Sequence, residues 1–308
     1  MKHTRATASR MQLDEYVRIV PQIYSAHDRN RSLWDVWCHT LHHGAGVAER
    51  LRKEQPADKL FKEIADFALW LFTVVQKLSG RPGRHKGSAE TPVETLIRIQ
   101  NGCSDLVWHR YPGVCHICYA RRSRAGKKGA SLLAPCDCSP TTPDLRDKDA
   151  KRSDLRALWQ FSHTCRSRKP SDINAWQAMF AEVFGTNIKR LSPIEIGFHL
   201  MEELGEVSDA MVRMYSYRKN DFRTGEPNWR QARLEAQIAD VFSWLFALSE
   251  KLNELKRSRH NARLGTEEGD MSAGQRITLS GIIWLRYGSE RLGSFRCPSC
   301  DKRTCSCP

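Results

Sequence analysis

One string occurs twice in this chain. KEIADFALWLFTVVQKL at 62–78 and AQIADVFSWLFALSEKL at 236–252 align without a gap and share I-A-D, W-L-F and K-L. Upstream the likeness continues at an offset of 160, with Tyr24 facing Phe184, Ser32 facing Ser192, His39 facing His199 and Val47 facing Val207. The second copy carries about fourteen extra residues, around YRKNDFRTGEPNWR. Downstream, WHRYPGVCHIC and WLRYGSERLGSFRCPSC both join a Trp-x-Arg-Tyr to a cysteine pair, and both copies end in Cys-x-Cys. Two copies are too few for a solenoid. A pseudo-twofold pair, each unit covering the other's apolar stripe, is therefore expected.

The repeat divides the chain into a first helical unit at 10–80, a first four-cysteine module at 96–140, a charged linker at 141–172, a second helical unit at 173–256 and a second four-cysteine module at 275–308. Apolar periodicity and caps predict helices near 12–26, 31–53, 58–79, 90–100, 153–166, 173–184, 192–216, 229–256 and 274–284, with strands limited to short hairpins at the cysteine groups. Ser192 before Pro193 reads as an N-cap followed by a proline at the first helical position.

The chemistry concentrates between His199 and Leu252. Leu200, Leu204, Val207, Met211 and Met214 form one apolar stripe, with Glu203 and Glu206 on its edge and His199 one turn earlier. Ile238, Val241, Leu245, Leu248 and Leu252 form a second, edged by Gln237 and Asp240. If the two helices pack antiparallel, three carboxylates and an amide converge on one pocket. Such an all-oxygen set suits a hard divalent cation. An ordinary solvated helix face would carry similar charges.

The sequence E-E-L-G-E, followed by a second helix with x-I-A-D, resembles the MazG-like all-α nucleoside triphosphate pyrophosphohydrolases, whose pattern is E-E-x-x-E, a spacer and E-x-x-D. Glu202, Glu203, Glu206 and Asp240 match it, and Gln237 stands where the family has Glu. The resemblance covers about fifty residues directly. It implies an all-α fold of two MazG-like units packed as an internal pseudodimer, open to further homo-oligomerisation. It also implies Mg2+ as the catalytic cofactor, nucleoside triphosphates as substrates, and nucleoside monophosphate and pyrophosphate as products. On that reading Glu202 orients water or acts as base, although helical spacing points it away from Glu203.

Comparing the copies sharpens the question. Opposite Glu203 and Glu206 the first unit has His43 and Gly46, whereas opposite Gln237 and Asp240 it keeps Glu63 and Asp66. Three arrangements follow. The second unit holds one residual site with Gln237 as a neutral, weaker ligand; or Glu203 and Glu206 combine with Glu63 and Asp66 through helix exchange; or catalysis is lost and the fold remains as a binding module. The first is the working expectation. Arg218, Lys219 and Arg223 are candidate phosphate contacts and Trp229 and Trp244 candidate base-stacking groups, each set against a solvated loop or ordinary core packing.

Eight of eleven cysteines fall into two groups, Cys115-x2-Cys118 with Cys136-x-Cys138, and Cys297-x2-Cys300 with Cys305-x-Cys307. Four thiolates make a closed tetrahedral structural zinc site, so two Zn2+ are expected. A net charge of +14 favours polyanionic partners, nucleotide or nucleic acid. The alternative function is accordingly a catalytically inactive, zinc-stabilised nucleotide- or nucleic-acid-binding protein. No apolar run approaches the roughly eighteen residues of a membrane span. The basic N-terminus lacks an apolar segment after it, so a cytoplasmic location is expected.

Overall fold

The computed structural model describes residues 4–28, 30–79, 99, 101–126, 135–136, 138, 148–216, 229–262 and 276–307. Their helices are α1 (Arg5–Ala8), α2 (Leu13–Ile19), α3 (Ser25–Asp28), α4 (Leu33–Arg52), α5 (Ala57–Leu78), α6 (Cys103–Arg110), α7 (His116–Arg124), α8 (Lys148–Thr164), α9 (Ile173–Arg190), α10 (Pro193–Ser216), α11 (Trp229–Ala262) and α12 (Leu279–Tyr287). Among the described residues the only strands are β1 (Gly288–Ser289) and β2 (Ser294–Phe295), an antiparallel hairpin leading into the second cysteine group. The all-α expectation holds at this level.

Local chemistry explains the principal boundaries. Ser32 and Asp35 form a capping box at the start of α4, and Ser192 and Glu195 exchange the same two bonds, at 2.7 and 3.2 Å, at the start of α10. The helix expected over 12–26 is interrupted. It ends at Ile19 and tightens into a 3-10 turn at Val20–Tyr24, because Pro21 has no N–H to continue the ladder. The helix expected over 173–184 runs on to Arg190, and the one expected over 274–284 begins at Leu279, where Thr278 caps Gly281. Helices α6 and α7, inside the first cysteine module, carry no helical signal in the sequence. They are short and bounded by Gly and Cys, which hides their periodicity. The segment 90–100 lies almost wholly outside the described residues, as do Arg218, Lys219, Arg223 and the side chain of Trp229.

Helix α5 packs on α4, and α11 packs on α10 and α9. The contacts His199–Trp244 and Arg233–Asp209 run in opposite chain directions, so α10 and α11 are antiparallel. Helices α4 and α10 then pack against each other. A Cβ on Gly44 would meet Leu204 Cδ1 at 2.5 Å, and one on Gly197 would meet Leu51 Cδ1 at 2.9 Å. Trp37 Nε1 donates to Ser208 Oγ at 2.9 Å. Gly44 and Leu204 are equivalent positions of the repeat, and the contacts on either side of them run antiparallel. Small residues here let the two helix backbones approach closely. One continuous core joins both halves, with Phe72 of α5 against Phe242 of α11 at 6.0 Å between centroids.

The segments after α5 and α11 cross over. Helix α6 of the first half packs on α11 of the second, and α12 of the second half packs on α5 of the first. The end of the linker forms α8, which covers α6 and α7. Trp108 Nε1 donates to Ser162 O at 2.8 Å, and Phe161 lies 4.9 Å from Tyr119 between centroids.

Candidate functional site

In the second half, antiparallel packing of α10 on α11 places Glu203 beside Asp240. Asp240 is buried and both its oxygens are engaged: Arg110 donates through Nε to Oδ1 at 2.8 Å and through Nη2 to Oδ2 at 2.7 Å, and the Tyr111 hydroxyl donates to Oδ1 at 2.5 Å. A bidentate guanidinium is the strongest side-chain partner a carboxylate can have. Both donors come from the first half, at the end of α6. Glu203 accepts a 3.3 Å bond from Trp244 Nε1, and Trp244 is stacked on His199 at 4.5 Å. Burial, then the charges of Asp240 and Glu206, push the Glu203 carboxyl up to about 9; Arg110 and Trp244 only partly oppose them. Gln237, one turn before Asp240, is buried and its Oε1 has no hydrogen-bond partner. Glu206 is exposed. Glu202 points outward, its side chain 65% exposed and its carboxylate 3.2 Å from His199 Nδ1.

The first half presents the same scaffold with the charge balanced internally. Glu63 receives His43 Nδ1 at 2.6 Å and Arg50 Nε at 3.0 Å. Burial opposes its ionisation, but the bonds from His43 and Arg50 outweigh that and hold its carboxyl below the usual range. Its Oε1 fills the space beside Gly46, where a Cβ would lie 2.6 Å away. Asp66 takes Arg286 Nε at 3.0 Å and the Tyr287 hydroxyl. His39 stacks on Trp70 at 4.4 Å, as His199 does on Trp244.

The arrangement in which Glu63 and Asp66 join Glu203 and Glu206 needs the second helices to exchange. Each second helix instead packs on the first helix of its own half. What crosses is the Trp-x-Arg-Tyr segment: Arg110 and Tyr111 reach Asp240, and Arg286 and Tyr287 reach Asp66. The sequence carried their signal, since the tetrad occurs in both halves at the same place. Nothing local said that its Arg and Tyr would meet a carboxylate.

The cysteine groups assemble as their spacing predicts. Among the described residues, Cys115, Cys118, Cys136 and Cys138, and likewise Cys297, Cys300, Cys305 and Cys307, are the groups of three or more Cys, His, Asp or Glu whose ligand atoms all lie within 4.8 Å of one another. The Glu203, Glu206 and Asp240 oxygens do not close to that distance. In the first group Sγ separations are 3.9 Å for Cys115–Cys138, 3.6 Å for Cys118–Cys136 and 3.2 Å for Cys118–Cys138. A tetrahedral ion with metal–sulfur bonds of about 2.3 Å spaces its sulfurs about 3.8 Å apart, whereas a disulfide needs about 2.05 Å. All eight thiols are unbridged. Each group can therefore hold a metal ion, and an all-thiolate set favours a soft or borderline one.

Each group also rests on the opposite half. The Cys136 N–H donates to Val183 O at 2.8 Å and Asn187 Nδ2 donates to Cys136 Sγ at 3.4 Å, both partners on α9. The Cys305 N–H donates to Ile23 O at 2.6 Å, on the 3-10 turn. Ile23 and Val183 are equivalent positions of the repeat. No helix among the described residues is long and apolar enough to cross a membrane. No protein-family model, curated protein or solved structure matches the chain.

Proposed function

We propose that the second half holds a divalent-cation-dependent nucleoside triphosphate pyrophosphohydrolase site of MazG-like type. The first half is its non-catalytic counterpart, the two forming an internal pseudodimer with a structural zinc ion in each cysteine group. One observation carries this reading. Glu63 is neutralised by His43 and Arg50 of its own half, whereas Glu203 shares its pocket with Asp240, Glu206 and the guanidinium of Arg110, which Asp240 already engages. Excess carboxylate charge in a partly buried pocket is costly until a cation joins it.

The donor types suit that cation: the carboxyl groups of Glu203 and Glu206 stand near Asp240, which Arg110 and Tyr111 hold, and the orphaned Gln237 carbonyl supplies a neutral oxygen. When bound, Mg2+ would neutralise triphosphate oxygens and act as a Lewis acid. This chain's own part is to orient and to hold a proton. Trp244 fixes the Glu203 carboxyl group, Arg110 holds Asp240 aligned, and Glu203 retains its proton until a cation is present. Glu206, exposed on the same helix, would be the third carboxylate of the set.

A second reading, an inactive zinc-stabilised nucleotide- or nucleic-acid-binding protein, is favoured by Asp240 being already saturated by Arg110 and Tyr111. Pyrophosphate release from a panel of standard and modified nucleoside triphosphates with Mg2+ separates the two. The first predicts release that falls by roughly a hundredfold or more in Glu206→Gln, in line with loss of transition-state charge stabilisation, and persists in Glu63→Gln. Absence of release from wild type across the panel would sink it. Salt-dependent binding of DNA or RNA without hydrolysis is the signature of the second.

A further inference from the structure

We propose that each four-cysteine centre serves the opposite half of the molecule, as a metal-held clasp that seats an Arg-Tyr pair on the other half's aspartate. In the first module, Tyr111 and Cys115 are separated by only three residues, and Arg110 Nη2 lies 3.0 Å from Nε2 of His116, the residue after Cys115. In the second, nine residues separate Tyr287 from Cys297, but the β1–β2 hairpin closes the gap: the Arg296 N–H donates to Tyr287 O at 2.7 Å, next to Cys297. Two different loops thus bring the tyrosine beside the first cysteine of its group. Each group then bonds through a backbone N–H to an equivalent carbonyl across the molecule, Val183 O for Cys136 and Ile23 O for Cys305.

The rings repeat the pattern. Tyr111 lies 5.2 Å from Phe180 and 5.7 Å from Phe184 on α9, so the anchor of the metal group and the anchor of the tyrosine are the same helix. Gathering Cys115 and Cys118 to the Cys136 pair fixes the start of α7 against α9, and with it the three-residue tether that holds Tyr111 and Arg110 on Asp240. Arg110, Tyr111, Arg286 and Tyr287 are positioning residues in this scheme, acting on a carboxylate through a tether whose far end is the metal. Ordering such a tether costs backbone entropy. A bound ion with four thiolates can offset that.

The clasp rests on metal binding by the cysteines and not on turnover, so its failure and the failure of the hydrolase reading are separate results. Hydrogen exchange on the full chain tests it. Cys118→Ser should lose one zinc per chain and speed amide exchange roughly tenfold in α9 and in α11 around Asp240, leaving α5 unchanged. Cys300→Ser should do the converse, loosening 20–24 and α5 around Asp66 while α11 keeps its protection. Loosening confined to the mutated cysteine segment, or appearing in the second helix of its own half, would overturn the proposal.

Asn187→Ala serves if the cysteine variants do not fold, because it removes a donor to Cys136 Sγ without removing a ligand. Outer-shell changes of this kind typically cost about 10–100-fold in metal affinity. Faster release of one zinc to a chromogenic chelator, with faster exchange around Asp240, is the expected result. Unchanged release, or faster release with protection at Asp240 intact, counts against the clasp.

Discussion

The two halves place the same helices, the same His–Trp stack and the same Arg-Tyr pair around their carboxylates, yet balance charge differently. At Glu63 the positions that could have carried acids are His43 and Gly46, and Arg50 supplies a cation, so the cluster closes on itself. At Glu203 the acids remain, Ala210 stands where the first half has Arg50, and Gln237 is the neutral member. One scaffold thus supports a self-sufficient ion-pair network in one copy and an acidic cluster in the other. Side chains at a few positions, rather than backbone geometry, decide which copy balances its own charge.

The comparison can be broken most forcefully at the two aspartates. Asp240→Ala leaves Arg110 buried without its carboxylate, which should cost about 3–5 kcal/mol by denaturant unfolding. Asp66→Ala should cost less, about 1–3 kcal/mol, because Arg286 is 27% exposed against 14% for Arg110 and water can take over part of its bonding. Equal losses would mean that the two Arg-Tyr contacts are energetically alike.

Next come the glutamates, where opposite signs are expected. Glu63→Gln removes a partner of both His43 and Arg50 and should destabilise by roughly 1–3 kcal/mol at pH 7. Glu203→Gln removes a carboxyl that burial and neighbouring acids disfavour, and should stabilise by roughly 1 kcal/mol at pH 8 in the absence of divalent cations. Destabilisation in both would argue that Glu203 is as well satisfied as Glu63.

The pH profiles follow from the same shifts. With its folded carboxyl raised to about 9, Glu203 binds more protons folded than unfolded, so its contribution is present below the ordinary glutamate range and is lost as pH rises towards 9. Glu63 is lowered, so its contribution is present above the ordinary range and is lost as pH falls below it. Melting temperatures from pH 4 to 9 should therefore flatten at the alkaline end in Glu203→Gln and at the acid end in Glu63→Gln.

The smallest effect separates the cysteine groups. All four thiols of the first are buried, while Cys300 and Cys307 of the second are partly exposed. A chelator should remove the second zinc several-fold faster, giving two phases in a release assay, because exchange needs access to the thiolates. A single phase would mean that the two centres open together.

Much of this was legible in the chain. Apolar spacing located the four long helices of the two units, and Ser192–Pro193 fixed the start of α10 to the residue. Cysteine spacing also named the two sets of four thiols that the fold gathers closely enough to hold an ion. The carboxylate edge of α10 and α11 was legible too, since helical spacing alone sets Glu203 and Asp240 on facing stripes. Glu202 was carried from a motif, and its side chain turns to solvent as helical geometry requires. The short helices α6 and α7, with too few turns to show a period, were not legible.

What the sequence determined by itself was the repeat, the helical class, the four-cysteine groups and the acids each copy lacks, two in the first at His43 and Gly46 and one in the second at Gln237. Those are properties of spacing along one chain. Only the tertiary structure decided which half supplies Arg110 and Tyr111 to Asp240, 130 and 129 residues away, and Arg286 and Tyr287 to Asp66, 220 and 221 residues away. Local periodicity cannot choose between keeping the end of a repeat at home and crossing it to the partner. That choice falls to the packing of α6 on α11 and α12 on α5, where a buried carboxylate in each half needs a cation that its own helix pair does not provide.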